Sequence, residues 1–388
     1  MRSEVDPDLL KVAWVHAQYP QMTQAELARI ADVGSQAQVS RLLNLAREKG
    51  ILREVFTFPA DTSDEVRRIV EQSLFPRHNE LEAALVERSG ELADRRDRAA
   101  TLKRLHVVPV PRDMPADKAL DAFGRGASEI VFDYVDGTHS CMSAWGRAVG
   151  ATVKFLREGD SGGRPKAFMP VAGEPQNHSP NGVSPSDAAS IMAQRWRVPD
   201  QALSLRGVQA RIPRSVATLD SDGIARKLVA FSQHYKKIFV GDAGERPLIE
   251  NVGMILTGIG DVSTSKDDPW FRETSEAEDN EENRVLDLTL GNIGGVWLPR
   301  PDLEDDAKAR AEVDQMNERW LGAQLKHFLR CARHADLNRG RPGVVVLAVE
   351  PTKSKIILAA LDLINVLIVS YSLAEQLAAE LLGPVTPE

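Results

Sequence analysis

Cysteine is scarce in this chain, whose 388 residues include only Cys141 and Cys331. The two are far apart and outside any Cys-x-x-Cys pair, which excludes a disulfide framework and a thiolate zinc site and favours a reducing compartment. The histidines stand singly, so we expect no metal set. Gly258-Ile259-Gly260 lacks the third glycine of a dinucleotide fingerprint and no Walker pattern is present, so we expect no cofactor.

A secretory signal is also lacking, because the first residues do not show a basic and then apolar pattern. One stretch, Ile356–Leu373, has the length of a membrane span. It carries Asp362 and Asn365 near its middle, and polar groups of this kind are costly in lipid. We therefore expect a core helix followed by a buried strand, no membrane association and a cytoplasmic location.

An excess of positive charge is missing as well. The net charge is -8 and the isoelectric point is near 5.6, which argues against non-specific coating of nucleic acid, since such binding relies on lysine and arginine at phosphates. With 43% hydrophobic and 27% charged residues the chain is globular in composition and long enough for two or three domains. Any DNA contact must come from a small, locally basic element.

Such an element is predicted before residue 60. Thr23 and Glu26 have the spacing of a capping box that begins a helix. Gly34 is predicted to make a turn, and Ser35 to cap a third helix that runs over residues 36–49. One stripe of this helix is apolar, formed by Val39, Leu42, Leu43 and Ala46. The order of these signals predicts a helix-turn-helix, with a plain helical hairpin as the alternative.

The outward face of the third helix suits DNA. Over residues 35–54, four basic side chains stand against two acidic ones, a local balance of +2. Arg41 and Gln38 can form paired hydrogen bonds with guanine or adenine edges in the major groove. The residues predicted to contact DNA are Thr23, Ser35, Gln36, Ala37, Gln38, Ser40 and Arg41. Residues 51–58 predict a strand or small wing.

The rest of the chain divides into a charged segment and an α/β region. Residues 61–105 predict a helical linker that is either an oligomerisation contact or merely a solvated helix. From residue 106 to 388, short apolar runs alternate with helical stretches, which predicts a largely parallel sheet. The predicted strands are centred on residues 107–110, 130–132, 254–256, 344–349 and 366–369. Three polar stretches predict surface insertions, at residues 158–185, 263–284 and 299–313.

The chain resembles the SorC (SorC/DeoR-type) family of sugar-responsive transcriptional regulators, and the likeness covers both ends. The N-terminal motifs are Thr23-Gln24-Ala25-Glu26-Leu27-Ala28, Val39-Ser40-Arg41-Leu42-Leu43 and Ala46-Arg47-Glu48-Lys49-Gly50-Ile51. The C-terminal motifs are Ser143-Ala144-Trp145-Gly146-Arg147, Leu256-Thr257-Gly258-Ile259-Gly260, Gly291-Asn292-Ile293-Gly294-Gly295 and the stretch from Lys353 to Ile368. The shared order of these motifs carries the resemblance.

The resemblance implies a winged helix-turn-helix at residues 1–60 and a Rossmann-like α/β effector-binding domain at 106–388. That domain is related in fold to glucosamine-phosphate deaminases, ribose-phosphate isomerases and CoA transferases. It also implies a non-enzymatic regulator that binds double-stranded operator DNA and a sugar or sugar derivative, as a homodimer or homotetramer. The effector-binding residues that follow are Gly146, Arg147, Ala148, Gly258, Gly260, Glu350 and Lys353.

Three departures from the family pattern affect the effector. Val349-Glu350 replaces two glycines, Ala148 replaces a threonine, and Ser370-Tyr371 replaces an acidic dyad. Glu350 would oppose a phosphate at contact distance by about 1–4 kcal/mol. We therefore expect an effector that is unphosphorylated or carries a cationic group. The alternatives are a pocket without function in a ligand-independent DNA-binding or interaction protein, and a sugar-phosphate isomerase or deaminase on the same fold.

Overall fold

The computed structural model describes residues 6–18, 23–49, 52, 75–110, 114–159, 167–174, 183–219, 223–241, 244–262, 285 and 287–383. The chain divides into two compact units, residues 1–60 and 61–388. The predicted wing at residues 51–58 lies outside the described residues except for Leu52, and the predicted insertion at 263–284 lies wholly outside them. None of the described helices combines the length and hydropathy needed to cross a bilayer.

The first unit contains three helices: α1 (Pro7–Gln18), α2 (Gln24–Ile30) and α3 (Gln36–Glu48). Their buried apolar side chains form one small core, to which α3 contributes the predicted stripe of Val39, Leu42, Leu43 and Ala46. The turn between α2 and α3 differs from the prediction. Asp32, and not Gly34, adopts the left-handed conformation, with φ 55°. Asp tolerates this region because its short side chain can bond locally, so glycine is not required there.

The second unit is built on a sheet with the strand order β1-β8-β7-β4-β2-β3, in which all five neighbouring pairs are parallel. The strands are β1 (Arg104–Val108), β2 (Ser140–Ser143), β3 (Ala167–Pro170), β4 (Met254–Asp261), β7 (Gly343–Ala348) and β8 (Val366–Ser370). The antiparallel hairpin of β5 (Thr289–Ile293) and β6 (Val296–Pro299) extends the end of β4. β7 and β8 are buried along their whole length, as expected for strands that are covered by helices on both faces of the sheet.

The helices of the second unit cover this sheet. They are α4 (His78–Arg95), α5 (Ala116–Gly137), α6 (Arg147–Phe155), α7 (Pro185–Arg195), α8 (Arg214–Leu219), α9 (Ile224–Val229), α10 (Ala307–Glu318), α11 (Leu325–Arg333), α12 (Ser354–Ala360) and α13 (Tyr371–Leu382), with a single turn at Gln233–Tyr235. Part of the predicted linker is thus a component of this unit. Leu81, Leu85 and Leu92 of α4 are buried in the main core.

Three predictions about this region are wrong. Residues 130–132 form no strand, because they belong to the 22-residue helix α5, whose apolar positions follow a helical period. The segment 158–185 is not simply an insertion, since it contains β3, whose Phe168 and Met169 are buried. The segment 299–313 contains the first seven of the 12 residues of α10, and Val313 is buried against Trp297 and Met316. In each case the local composition fits more than one kind of structure, and burial in the folded chain determines which one forms.

The core also contains a buried charge. Asp362 is fully buried and accepts hydrogen bonds from Arg96 Nη1 at 2.8 Å and from Arg98 Nη1 at 2.6 Å. Arg96 also pairs with Glu304, and its Nη1 donates to the carbonyl oxygen of Ala359. This network joins the end of α4 to the segment between α12 and β8. It explains why the apolar stretch at 356–373 tolerates an aspartate.

Candidate functional site

The first candidate surface is the N-terminal end of α3. Ser35 caps the helix, and its Oγ accepts from the Gln38 backbone N–H at 3.2 Å. The capping box of α2 is also present. Thr23 Oγ1 accepts from the Glu26 N–H at 3.3 Å, while the Glu26 carboxylate accepts from the Thr23 N–H at 2.9 Å. Both predicted caps are confirmed, and they fix where each helix begins.

Exposure separates the two sides of α3. Thr23, Ser35, Gln36, Ala37 and Arg41 are exposed, and Gln38 and Ser40 are half-buried. Six of these seven residues lie at or near the start of α3, and Thr23 lies at the start of α2. The first turn of α3 contains no acidic residue. The positive end of the helix dipole is therefore open to an anion such as a phosphate.

The second candidate site follows from the topology of the sheet. β3 lies on one side of β2, at the edge of the sheet. The later strands β4, β7 and β8 are added in turn on the other side of β2. The direction of winding therefore reverses between β2 and β4. In open parallel sheets, ligands bind in the crevice beyond the carboxyl ends of the strands at this switch point. The predicted effector-binding residues follow or end the strands β2, β4 and β7.

Gly146 connects β2 to α6. Its φ of 121° and ψ of 154° lie in a region that is essentially restricted to glycine, and an added Cβ would meet no atom within 4 Å. The conformation, and not a lack of space, therefore requires glycine here. The first turn of α6 contains no acidic residue, and Gly146 provides no side-chain cap. Backbone N–H groups at the start of α6 are consequently available to a ligand.

Three charged side chains meet at this edge. Glu350 Oε1 accepts from Arg147 Nη2 at 2.8 Å, and Glu350 Oε2 lies 2.7 Å from Lys353 Nζ. Arg147 is 72% exposed, Glu350 34% and Lys353 14%. Burial raises the pKa of Glu350, but Lys353 and Arg147 outweigh that effect and hold the pKa below its usual value. The cluster therefore carries two positive charges and one negative charge at neutral pH.

The remaining predicted residues take different positions. Gly258 pairs with Leu347 of β7, and an added Cβ would lie 3.8 Å from the Trp145 carbonyl oxygen and 3.9 Å from that of Leu347. Gly258 thus lies close to the loop after β2 and to the end of β7. Gly260 lies farther along β4 and pairs with Asn292 of the hairpin. Ala148 is buried in the hydrophobic core, so only its backbone is placed to meet a ligand.

Two contacts at the same edge are not predicted from the sequence. Trp145 packs against Trp320 with ring centroids 5.7 Å apart, and Trp320 also lies against the glycine turn of the hairpin. Beyond β3, Glu174 accepts from Ser184 Oγ at 2.8 Å and lies 4.0 Å from Arg206 Nε. Trp145 lies in a quoted motif, but Trp320 is 175 residues away and no local pattern predicts that the two rings meet. Glu174 lies in a stretch predicted to be an insertion.

Searches by sequence give no family assignment, since the chain matches no protein-family model and no curated protein. Solved structures do match in fold. The full-length sorbitol operon regulator SorC from Klebsiella pneumoniae is 20% identical, over 95% of this chain and 97% of that chain, with a TM-score of 0.52. A probable sor operon regulator from Shigella flexneri is 19% identical over 78% and 99%, with a TM-score of 0.51.

A domain of a possible sugar-binding transcriptional regulator from Arthrobacter aurescens is 18% identical, over 79% of this chain and 98% of that chain, with a TM-score of 0.51. At such identities the likeness concerns the fold. The α/β class, and the helix-turn-helix that precedes it, are confirmed. The chain has the fold of the SorC-type transcriptional regulators.

Proposed function

We propose that this chain is a DNA-binding transcriptional regulator whose operator affinity is controlled by a small carbohydrate-like effector in the α/β unit. The observation that carries the proposal is the combination of two features. One is a helix-turn-helix with an exposed polar end on α3. The other is an α/β unit with charged side chains at its switch point, in a fold shared with SorC of Klebsiella pneumoniae.

The proposed DNA contact is made by α3 in the major groove. Arg41 is exposed and lies on the side of the helix opposite Leu42 and Leu43, which are buried. Its guanidinium can donate two hydrogen bonds to one guanine. Ser35 and Gln36, at the start of α3, would set the register by contacts with phosphates. Since residues 35–54 carry a local balance of +2 in a chain whose net charge is -8, binding is expected to be local and specific.

The proposed effector is a sugar or polyol without a phosphate. Glu350 occupies the two cations, Arg147 and Lys353, that would otherwise attract an anionic group. A cationic ligand is disfavoured too, because the cluster retains a net charge of +1. Hydroxyl groups suit this arrangement, since they can accept from Arg147 and Lys353 and donate to Glu350. This geometry supports the unphosphorylated effector over the cationic one.

A non-enzymatic role is supported by the same cluster. A general acid or base works best with a pKa near the operating pH, and enzymes raise the pKa of a glutamate for that purpose. Here Lys353 and Arg147 lower the pKa of Glu350. Glu350 therefore remains an ionised binding group. Turnover of sugar phosphates by the purified protein would favour the isomerase or deaminase alternative.

The test is fluorescence anisotropy on duplexes from the region upstream of the chain's own gene. Wild type is compared with Arg41→Ala and with a charge-matched control, Arg339→Ala, which lies in the second unit and is 85% exposed. We expect specific binding that weakens with salt, and a loss of about 5- to 150-fold in Arg41→Ala if the arginine reads a base. Arg339→Ala should bind like wild type. No preference over random DNA would refute the regulator.

The ligand-independent alternative is tested separately by thermal shift with neutral sugars, polyols, amino sugars and sugar phosphates. A ligand that binds only the folded state raises the melting temperature, and the stabilisation grows with the logarithm of its concentration once that concentration exceeds Kd. We expect the neutral compounds to include a stabilising ligand. Intact DNA binding without any stabilising compound would favour the interaction protein.

A further inference from the structure

A hydrogen bond on the exposed side of α3 has no role in the proposed function. Arg47 Nη1 donates to the side-chain oxygen Oδ1 of Asn44 at 3.1 Å. Asn44 is exposed and lies three positions after Arg41, so these two side chains are neighbours on one helix face. Arg47 follows after three more positions and is half-buried. Asn44 therefore lies beside the arginine that the proposed function assigns to a base.

The same helix face extends in both directions from this pair. Spacings of four, three and four positions join its exposed members, which are Ala37, Arg41, Asn44 and Glu48. We term these four residues the exposed row. None of them belongs to the buried stripe of α3. If Arg41 faces the major groove, Asn44 faces it too.

Distance along the helix decides how much of the exposed row reaches the bases. Asn44 is the ninth residue of α3, about 12 Å along the axis from the first residue, and the major groove is about 12 Å wide. Glu48 is about 18 Å from the first residue. In helix-turn-helix proteins the N-terminal residues of the recognition helix contact base edges. Asn44 is thus the last member of the exposed row within reach of a base.

The bond from Arg47 fixes the direction of the Asn44 amide. A guanidinium can only donate, so it holds the amide oxygen and leaves the two N–H groups of Nδ2 on the other side. A second lone pair of Oδ1 remains. A donor beside an acceptor matches adenine, whose N7 accepts and whose N6 amino group donates in the major groove. Guanine offers two acceptors there and cytosine one donor, so neither pairs with both halves of the amide.

A contact with a phosphate is the alternative use of Asn44. Phosphates attract cations, but the nearest cation, Arg47, is half-buried and already donates to Asn44. The next residue of the exposed row is Glu48, whose carboxylate opposes a phosphate strand along this side of α3. Base edges do not repel a carboxylate in this way, since cytosine presents a donor there. Charge therefore favours a base as the ligand of Asn44.

We propose that Asn44 is a second base-reading residue of α3 and selects an adenine one or two base pairs from the guanine bound by Arg41. Arg47 is the positioning residue for the amide. The spacing follows from the helix, because three residues rise about 4.5 Å and successive base pairs lie about 3.4 Å apart. This inference rests on the proposed function, since it names the element of the operator that α3 reads.

The test begins with selection of duplexes from a random library by the full chain. Wild type is compared with Asn44→Ala and with a matched control, Asn338→Ala, whose asparagine is exposed in the second unit. We expect wild type and the control to enrich a motif with a guanine and an adenine one or two base pairs apart. Asn44→Ala should keep the guanine and lose the adenine. Alanine is the strongest helix former, so α3 is expected to form in this variant.

The selected duplex is then used in fluorescence anisotropy, with 7-deazaadenine in place of the adenine. This base lacks the N7 acceptor and keeps its pairing with thymine. Wild type should lose affinity by at least about fivefold, the lower end for a paired base contact, and Asn44→Ala should bind the two duplexes within about twofold of each other. Arg47→Lys keeps the charge, so its salt dependence should match wild type while its preference for adenine falls.

Several results would overturn the proposal. Asn44→Ala would then enrich an unchanged motif, or wild type would bind the two duplexes equally. A loss of affinity in Asn44→Ala that is the same for every sequence would assign Asn44 to a phosphate instead. An undiminished adenine preference in Arg47→Lys would refute the positioning role of Arg47. If wild type enriches no motif at all, the proposed function itself fails, and that result is distinct from the others.

Discussion

Replacing Glu350 with glutamine tests the electrostatics of the effector site most sharply. The side chain keeps its shape, while the cluster that it shares with Arg147 and Lys353 changes from one net positive charge to two. Neither cation has another ion-pair partner among the described residues. Loss of one negative charge about 5 Å from a phosphate is worth about 1–3 kcal/mol at an effective dielectric constant between those of a protein surface and water.

That free energy corresponds to about a 5- to 150-fold gain in affinity for a sugar phosphate. The assay is calorimetry with a hexose phosphate and the parent hexose at constant ionic strength. Glu350→Gln should favour the phosphate, and a matched charge change at an exposed position of α4, Glu87→Gln, should not. Equal effects of the two variants would show that Glu350 does not face the ligand. Tight binding of the phosphate by wild type, lost in Lys353→Ala, would refute the reasoning.

Three further predictions concern stability. Asp362→Ala removes the fully buried carboxylate that Arg96 and Arg98 share, although Arg96 keeps its pair with Glu304. The change should lower the free energy of unfolding by about 3–5 kcal/mol in urea titrations, and a loss under about 1 kcal/mol would contradict a structural role for the network. Thr23→Ala removes the cap of α2 and should cost about 1 kcal/mol, measured on the first unit's own transition; Thr23→Ser, which keeps the hydroxyl, is the control. Burial, with smaller contributions from neighbouring cations, lowers the pKa of His327 to about 4. The unfolded state therefore binds the proton more readily, and stability should fall as pH drops from 6.5 toward 4, a slope that His327→Gln should reduce.

The sequence predicts the centre of the sheet better than its edges. β4, β7 and β8 are short runs of β-branched and aliphatic residues, and such runs are typical of strands that are buried on both faces. β2 has the sequence Ser-Cys-Met-Ser and is not predicted, because two of its four residues are polar and tertiary packing, not local composition, buries Cys141, Met142 and Ser143. Gly294 and Gly295 belong to a motif in the sequence, but the turn that they form between β5 and β6 is not predicted.

The effector site, like the sheet, is only partly predictable from the sequence. Arg147 and Lys353 follow strands in recognisable motifs, so their location at one edge could be expected from a parallel sheet. That Glu350 binds both could not, because the two partners lie 203 and 3 residues away and their approach depends on the strand order. The sequence predicts that Glu350 repels a phosphate as an unpaired charge. The structure adds a second reason against a phosphate, because the phosphate would have to displace the Glu350 carboxylate from Arg147 and Lys353.

Coupling between the two units is the central claim of this account, and one measurement tests it directly. Operator affinity is measured by anisotropy with and without a saturating neutral sugar that gives a thermal shift, for wild type and for Lys353→Met. The account predicts a change in operator affinity of about 5- to 150-fold for wild type, and little change for the variant, as expected for a coupling of about 1–3 kcal/mol. An operator affinity that is the same with and without the bound sugar would contradict the claim that the α/β unit controls DNA binding.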